Sequence, residues 1–356
     1  MSINLKIIKN LDKQDMHSSI KKLSLQCEQV FNEWKNIKIA ADYKKIQNIV
    51  VSGMGGSGLG AHIIKSIFKN ELKFPVEIVN SYHLPAYIDK RTFLIISSYS
   101  GNTEETLSAF EEGRKRNAKM FIIASGGKLK EISKKYNIPS YIFNPEHNSC
   151  NEPRIGLGYS IFSQLLLLRK IGIISIKDIE VKQIIKNLED FSEKFSFNNK
   201  NSAALKISKK IEQKISVIIA SEFLSGNAHA FSNQINENAK NFSKWFSIPE
   251  ICHHLLEGLP NPKSNHKNLF FVFFNSKLYD KRNQIRYKVM QQVLKKNKIK
   301  FIEYNLSSKT KFLQSFEMLI LGSYISFYLA MLNNINPSPI PFVDFFKKEL
   351  GKYNKV

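Results

Sequence analysis

Between residues 48 and 143, short runs of β-branched and aliphatic residues alternate with longer amphipathic stretches, and this constrains the fold more than any other feature of the 356-residue chain. Strands are expected at 48–53 (NIVVSG), 75–79 (PVEIV), 92–98 (TFLIISS), 119–125 (KMFIIAS) and 139–143 (PSYIF), with helices at 57–69, 103–116 and 127–136. Alternation at this spacing requires right-handed crossovers and a parallel sheet covered on both faces. A mostly apolar helix follows at 154–172. A weaker series then places strands at 215–221, 268–276 and 300–306 and helices at 227–246, 281–296 and 312–332. The expected architecture is α/β, two doubly wound domains with parallel sheets flanked by helices. Its parts are an N-terminal helical segment (1–45), a first domain (46–175), a helical connector (176–212) and a second domain with a C-terminal helix (213–356). In the first part Met16, Ile20, Leu23, Val30, Phe31 and Trp34 mark one leading helix over 12–40. Doubly wound sheets bind ligands at the carboxyl ends of their strands, so the strand-to-helix turns are where function is sought.

Hydrophobic residues at 43% and charged residues at 23% are globular proportions and exclude disorder. Cys27, Cys150 and Cys252 are odd in number and lack metal-ligand spacing, which argues against a disulfide scaffold or a zinc ribbon. Met1 leads straight into an amphipathic segment, and the longest apolar run, 318–332, falls short of a bilayer span. A cytoplasmic protein with no membrane partner is expected. Lys and Arg number 53 against 30 Asp and Glu, a formal charge of +23. The lysines are dispersed and arginine is scarce, so the charge is read as a solvated surface that steers anionic metabolites, with no nucleic acid as partner.

Two turns suit a phosphate. The first, SGMGGSGLGA (52–61), satisfies G-x-G-x-x-G after a strand and before a helix. A dinucleotide site also wants an acid ending the second strand, but Glu77 sits mid-strand and the end is Asn80–Ser81. What remains is glycine backbone near an anion at a helix N-terminus, with Gly56 and Ser57 as the contacts. The second turn, SSYSGNTEET (97–106), gathers Ser98, Ser100 and Thr103 around Gly101. Thr103 could simply cap its helix, but a cap accounts for one hydroxyl and not three.

Together with ASGGKL (124–129), these turns resemble a sugar isomerase domain of the phosphosugar-binding type. NEPRIGLGYS (151–160), NQINENAK (233–240), PEICHHLLEG (249–258) and NPSPIPFVDFFKKEL (336–350) resemble, in order, the bifunctional phosphoglucose/phosphomannose isomerase family. The resemblance covers nearly the whole chain. It implies two sugar isomerase domains, usually in a homodimer with active sites near the interface, and sugar phosphates as substrates. The implied reaction interconverts glucose 6-phosphate and mannose 6-phosphate with fructose 6-phosphate through a cis-enediolate, with no cofactor and no metal. That chemistry needs a ring-opening acid/base, a base that moves a proton between C2 and C1, a cation for the enediolate and a phosphate anchor.

By the same resemblance Glu237, in ENAK, is the base and His253 opens the ring, since imidazole titrates near neutrality. Cys252 and His254 stand where asparagines are common in the family and Leu255 replaces an acid, so His254 is a fallback. Arg154 is the cation for the enediolate oxygens. Lys347, with Lys348 as the alternative, matches a lysine reaching in from the last helix, and Ser338 is a small residue that would leave room near C2. A non-catalytic sugar-phosphate sensor of the same fold is the competing reading; a nicotinamide dehydrogenase rests only on the 53–58 glycines. The spatial expectation is that carboxyl, imidazole and guanidinium surround the far end of a hexose held by the two turns.

Overall fold

The computed structural model describes residues 3–39, 43 and 45–353; residues 1–2, 40–42, 44 and 354–356, at the ends of the expected first and last parts, lie outside the described residues. The chain opens with α1 (Leu5–Leu11), α2 (Met16–Lys21) and α3 (Leu23–Glu33). The first sheet is laid down as β1 (Asn48–Ser52), α4 (Gly55–Ile67), β2 (Val76–Val79), β3 (Thr92–Ser98), α5 (Glu104–Lys115), β4 (Lys119–Ala124), α6 (Gly127–Lys135) and β5 (Ser140–Ile142). Helices α7 (Leu157–Lys170), α8 (Asp178–Phe195) and α9 (Ala203–Ile211) lead to the second. That sheet runs β6 (Ile215–Ser221), α10 (Ser225–Ala239), β7 (Ser243–Ile248), α11 (Leu255–Gly258), α12 (Asn265–Asn268), β8 (Leu269–Asn275), α13 (Lys281–Lys296) and β9 (Lys300–Asn305). It closes with α14 (Lys311–Leu332) and α15 (Pro341–Tyr353).

All ladders are parallel, in the orders β2-β1-β3-β4-β5 and β7-β6-β8-β9. Strand order reverses between β1 and β3, so the turns that follow these two strands open on the same crevice. Between the sheets, α4 packs on α7 and α10, and α10 packs on α14. At the crossing of α4 and α10, a Cβ on Gly226 would collide with the His62 carbonyl, so only glycine permits this backbone approach. One apolar core thereby joins Val51 and Phe93 of the first sheet to Ile218 and Phe273 of the second.

Among the described residues α14 is long and apolar enough to cross a membrane, starting earlier than the 318–332 run suggests. Its side chains are nonetheless buried inside the protein against α8, α9 and α10, as a core helix. It also buries one carboxylate, Glu317. Tyr304 Oη, Ser307 N, Ser308 N and the Ser307 and Ser308 hydroxyls all donate to it, and Lys194 Nζ lies 3.2 Å away. Burial alone would raise this carboxyl, but the bonds from Ser308 and Tyr304 and the charge of Lys194 outweigh it and hold it below the ordinary range. Removing it as Glu317→Ala is expected to cost about 1–3 kcal/mol at pH 7, because the donors around it lose their acceptor while Lys194 can turn to water. Because the folded form is the more acidic, this stability is present above the unfolded carboxyl's titration and lost as pH falls through the folded one. Denaturant unfolding at pH 7 and at low pH checks it: the gap between variant and wild type should close in acid.

Two expected elements differ. The leading helix expected over 12–40 starts only at Met16, where the Asp12 carboxylate accepts from Met16 N and His17 N, both at 2.8 Å, and it is interrupted at Lys22 between α2 and α3. The helix expected over 227–246 ends at Ala239. Lys240 turns left-handed (φ 49°), and 243–248 forms the edge strand β7, bound to the helix end through Asn236 and Ser243.

Candidate active site

The first turn is pinned by Gly56, where a Cβ would fall 2.7 Å from the Pro153 carbonyl carbon and oxygen, so it rests on the segment that carries Arg154. Ser57 Oγ accepts from Tyr99 N at 2.7 Å and ties this turn to the next. In the second turn Ser98 Oγ accepts from Gly101 N at 3.1 Å and pairs with Thr103 Oγ1 at 2.8 Å, while Ser100 Oγ accepts from Asn102 N at 3.3 Å. A hydroxyl that accepts a backbone N–H still has its own proton to donate to an anion. Thr103 occupies the N-cap of α5 but makes no capping bond, so its hydroxyl serves the turn and not the helix. The start of α6 braces the turn through Leu129 N to Gly101 O at 3.0 Å and Lys128 N to Asn102 Oδ1 at 2.9 Å. At the end of β2, Asn80 donates to the Gly53 carbonyl where a ribose-binding acid would stand, which leaves the dehydrogenase reading without its acidic residue.

Arg154 is buried, and every guanidinium nitrogen is engaged. Nε donates to Asn238 Oδ1 (2.6 Å), Nη2 to the carbonyls of Ser338 (2.7 Å) and Pro337 (3.1 Å), and Nη1 to Glu152. Glu237 Oε2 lies 3.5 Å from the same Nη1. Burial raises the Glu237 carboxyl; Arg154 pulls it back, Glu152 raises it, and Lys240 and Lys347 pull it down again, with the net effect upward. Lys347 thus bears on the carboxylate from the exposed helix α15. Glu152 and Lys240 complete the cluster without being singled out by the sequence pattern; their only signal is that they flank the two central residues in NEPR and ENAK.

His253 is elsewhere. Helix α10 feeds the start of β7, and the histidine turn (Glu250–His253) follows its end. Glu237 and His253 therefore sit at opposite ends of β7, separated by the length of a six-residue strand, about 20 Å. His253 and His254 are both exposed there, with the His254 ring 6.2 Å from that of Phe246. Within one chain the structure joins the guanidinium and the carboxyl, with the Arg154 backbone against the first glycine turn, but does not add the imidazole. Among the described residues no group of three His, Cys, Asp or Glu side chains is arranged to hold a metal.

Residues 42–169 match the SIS domain and 200–350 match the bacterial phospho-glucose isomerase C-terminal SIS domain. The chain is 30% identical over 348 residues to the bifunctional phosphoglucose/phosphomannose isomerase of Caldicellulosiruptor bescii, covering 95% of this chain and 99% of that protein. It is 28% identical to the protein of the same name from Aquifex aeolicus, covering 92% of this chain and 97% of the other. A crystal structure of a hypothetical protein from Thermus thermophilus shares the fold with a TM-score of 0.71 at 14% identity, over 98% of this chain and 92% of that one. Two SIS domains in series, the ordered motifs and end-to-end similarity lead to one conclusion: this chain is an enzyme of the bifunctional phosphoglucose/phosphomannose isomerase family.

Proposed function

We propose that the enzyme interconverts glucose 6-phosphate and mannose 6-phosphate with fructose 6-phosphate through a cis-enediolate, without a metal ion or organic cofactor. The observation that carries this reading is the Arg154–Glu237 pair beside the glycine-pinned first turn. Ser57, Ser98, Ser100, Thr103 and the Gly56 backbone hold the phosphate and fix the sugar in register. Glu237 takes the C2 proton and returns it at C1, a short transfer that one carboxylate makes with little motion; its raised basicity favours the abstraction. Arg154 spends its N–H groups on the protein, so it acts through its charge, keeping Glu237 ionised and favouring the negative enediolate. Lys347 adds a second positive charge from α15.

Ring opening is assigned to His253 of the partner subunit, because the length of β7 keeps a chain's own His253 from its own Glu237. A homodimer is supported by α15, where Phe342, Phe345 and Phe346 are 85%, 63% and 62% exposed next to the incomplete site. A sugar-phosphate sensor would use the hydroxylated turns but has no need of a carboxylate set against a buried cation behind them. A coupled assay on both aldose phosphates in the presence of EDTA tests the proposal. Turnover of both, unchanged by chelator, is expected; turnover of neither, or loss on chelation, would overturn it.

A further inference from the structure

We propose that Lys240 is a positioning residue of this site: it holds the 336–338 turn against the end of α10 and so keeps Arg154 and Lys347 aligned on Glu237. The proposal rests on the reading of Glu237 as the base. Lys240 caps α10 in the left-handed conformation (φ 49°), its N–H donating to Ile235 O, which turns its side chain back across the helix end. Nζ donates to Pro337 O at 2.8 Å, Asn336 O at 3.1 Å and Asn238 O at 3.4 Å. Pro337 O also accepts from Arg154 Nη2, and Ser338 O accepts from that same nitrogen, so one turn is gripped by two cations.

Apart from the two cations, the buried turn is held by Asn336 Nδ2 donating to Gln14 Oε1 at 2.9 Å and by its inner bond, Ser338 N to Asn336 Oδ1 at 3.2 Å, while the Ser338 hydroxyl is buried without a partner. From it the chain enters α15, none of whose residues is buried, so the position of Lys347 depends on how this turn is anchored. If Lys240 lets go, Arg154 keeps its bonds to Asn238 and Glu152 but its two carbonyl partners are free to drift, and Lys347 moves with them.

Charged neighbours reach Lys240 from two sides: Arg154 and Glu152 from the segment before α7, and Glu237 from its own helix. Burial and then Arg154 push the ammonium down to about 8, against the pull of Glu152 and Glu237. The grip is therefore charged at neutral pH and weakens as pH rises through that value.

The test measures kcat and KM of the full-length enzyme between pH 6.5 and 9.5 for wild type, Lys240→Met, Lys240→Arg and Glu237→Gln, with thermal unfolding as a check on the fold. Wild type is expected to lose kcat above about pH 8. Lys240→Arg, charged throughout, should lack that alkaline fall. Lys240→Met should have kcat lowered about tenfold or more at pH 7, KM little changed and no limb near 8. Wild-type kcat in Lys240→Met, or an unchanged alkaline limb in either variant, would overturn the proposal. Should Lys240→Met not fold, the profile of Lys240→Arg decides alone. Retained turnover in Glu237→Gln would instead remove the reading of the site, whereas an inactive Glu237→Gln beside an unchanged Lys240→Met removes only the role of Lys240.

Discussion

Glu237→Gln is expected to lower kcat on either aldose phosphate by about 10²–10⁴-fold while KM stays close to wild type. The amide is isosteric and keeps the neighbourhood of Arg154 filled but cannot accept the C2 proton. His253→Gln should be comparably impaired. The informative experiment mixes the two. If each site takes its carboxylate from one subunit and its imidazole from the other, a hybrid dimer contains one site with both lesions and one with neither. Random reassortment of equal amounts then restores about a quarter of wild-type activity from two inactive parents. Dimeric parents that reassort but recover nothing would refute the shared site, and a fully active Glu237→Gln would refute its chemistry.

This separation of the two residues was not legible in the sequence, and the reason is a single element. The first sheet could be read because its strands are buried on both faces and appear as unbroken aliphatic runs, β3 above all, where every residue is buried. Strand β7 lies at a sheet edge and is written SKWFSI, with a lysine and two serines among its six residues, so it lacks that signature and merges with the helix before it. Running the helix on to 246 places the histidine turn directly after the helix end that carries Glu237. Recognising a strand there moves it to the far end of β7. The two turns proposed to hold the phosphate stand out in the sequence as local clusters of glycine and hydroxyls. By contrast, the partners of Arg154 on the 336–338 turn are more than 180 residues away, and no local pattern links them.

The second large effect concerns the phosphate anchor. Gly101 has φ +70°, and a Cβ there would drive into the Gly126 carbonyl oxygen. Gly101→Ala therefore combines a left-handed backbone penalty of about 1–2 kcal/mol with a clash that only movement of the turn relieves. Ser98, bonded to this glycine, and Thr103, bonded to Ser98, move with it, and the brace from α6 is lost. KM for sugar phosphates is expected to rise about tenfold or more, with a matching loss of affinity for a competitive polyol phosphate. Gly126→Ala is the control, because that residue is extended and a Cβ there meets nothing within 4 Å. It should bind as wild type does. Equal effects of the two substitutions would mean that the turn's shape does not set phosphate affinity.

The seam between the sheets has a consequence for the molecule as a whole. Because α4 and α10 meet backbone to backbone at Gly226, and α14 fills the space that both halves need closed, neither sheet owns a complete interior. Cut at the connector, each fragment would present a bare aliphatic wall to water, a burden in aggregation that a small domain cannot offset. Two units of similar topology thus share one of their interiors, and either one expressed alone is expected to aggregate.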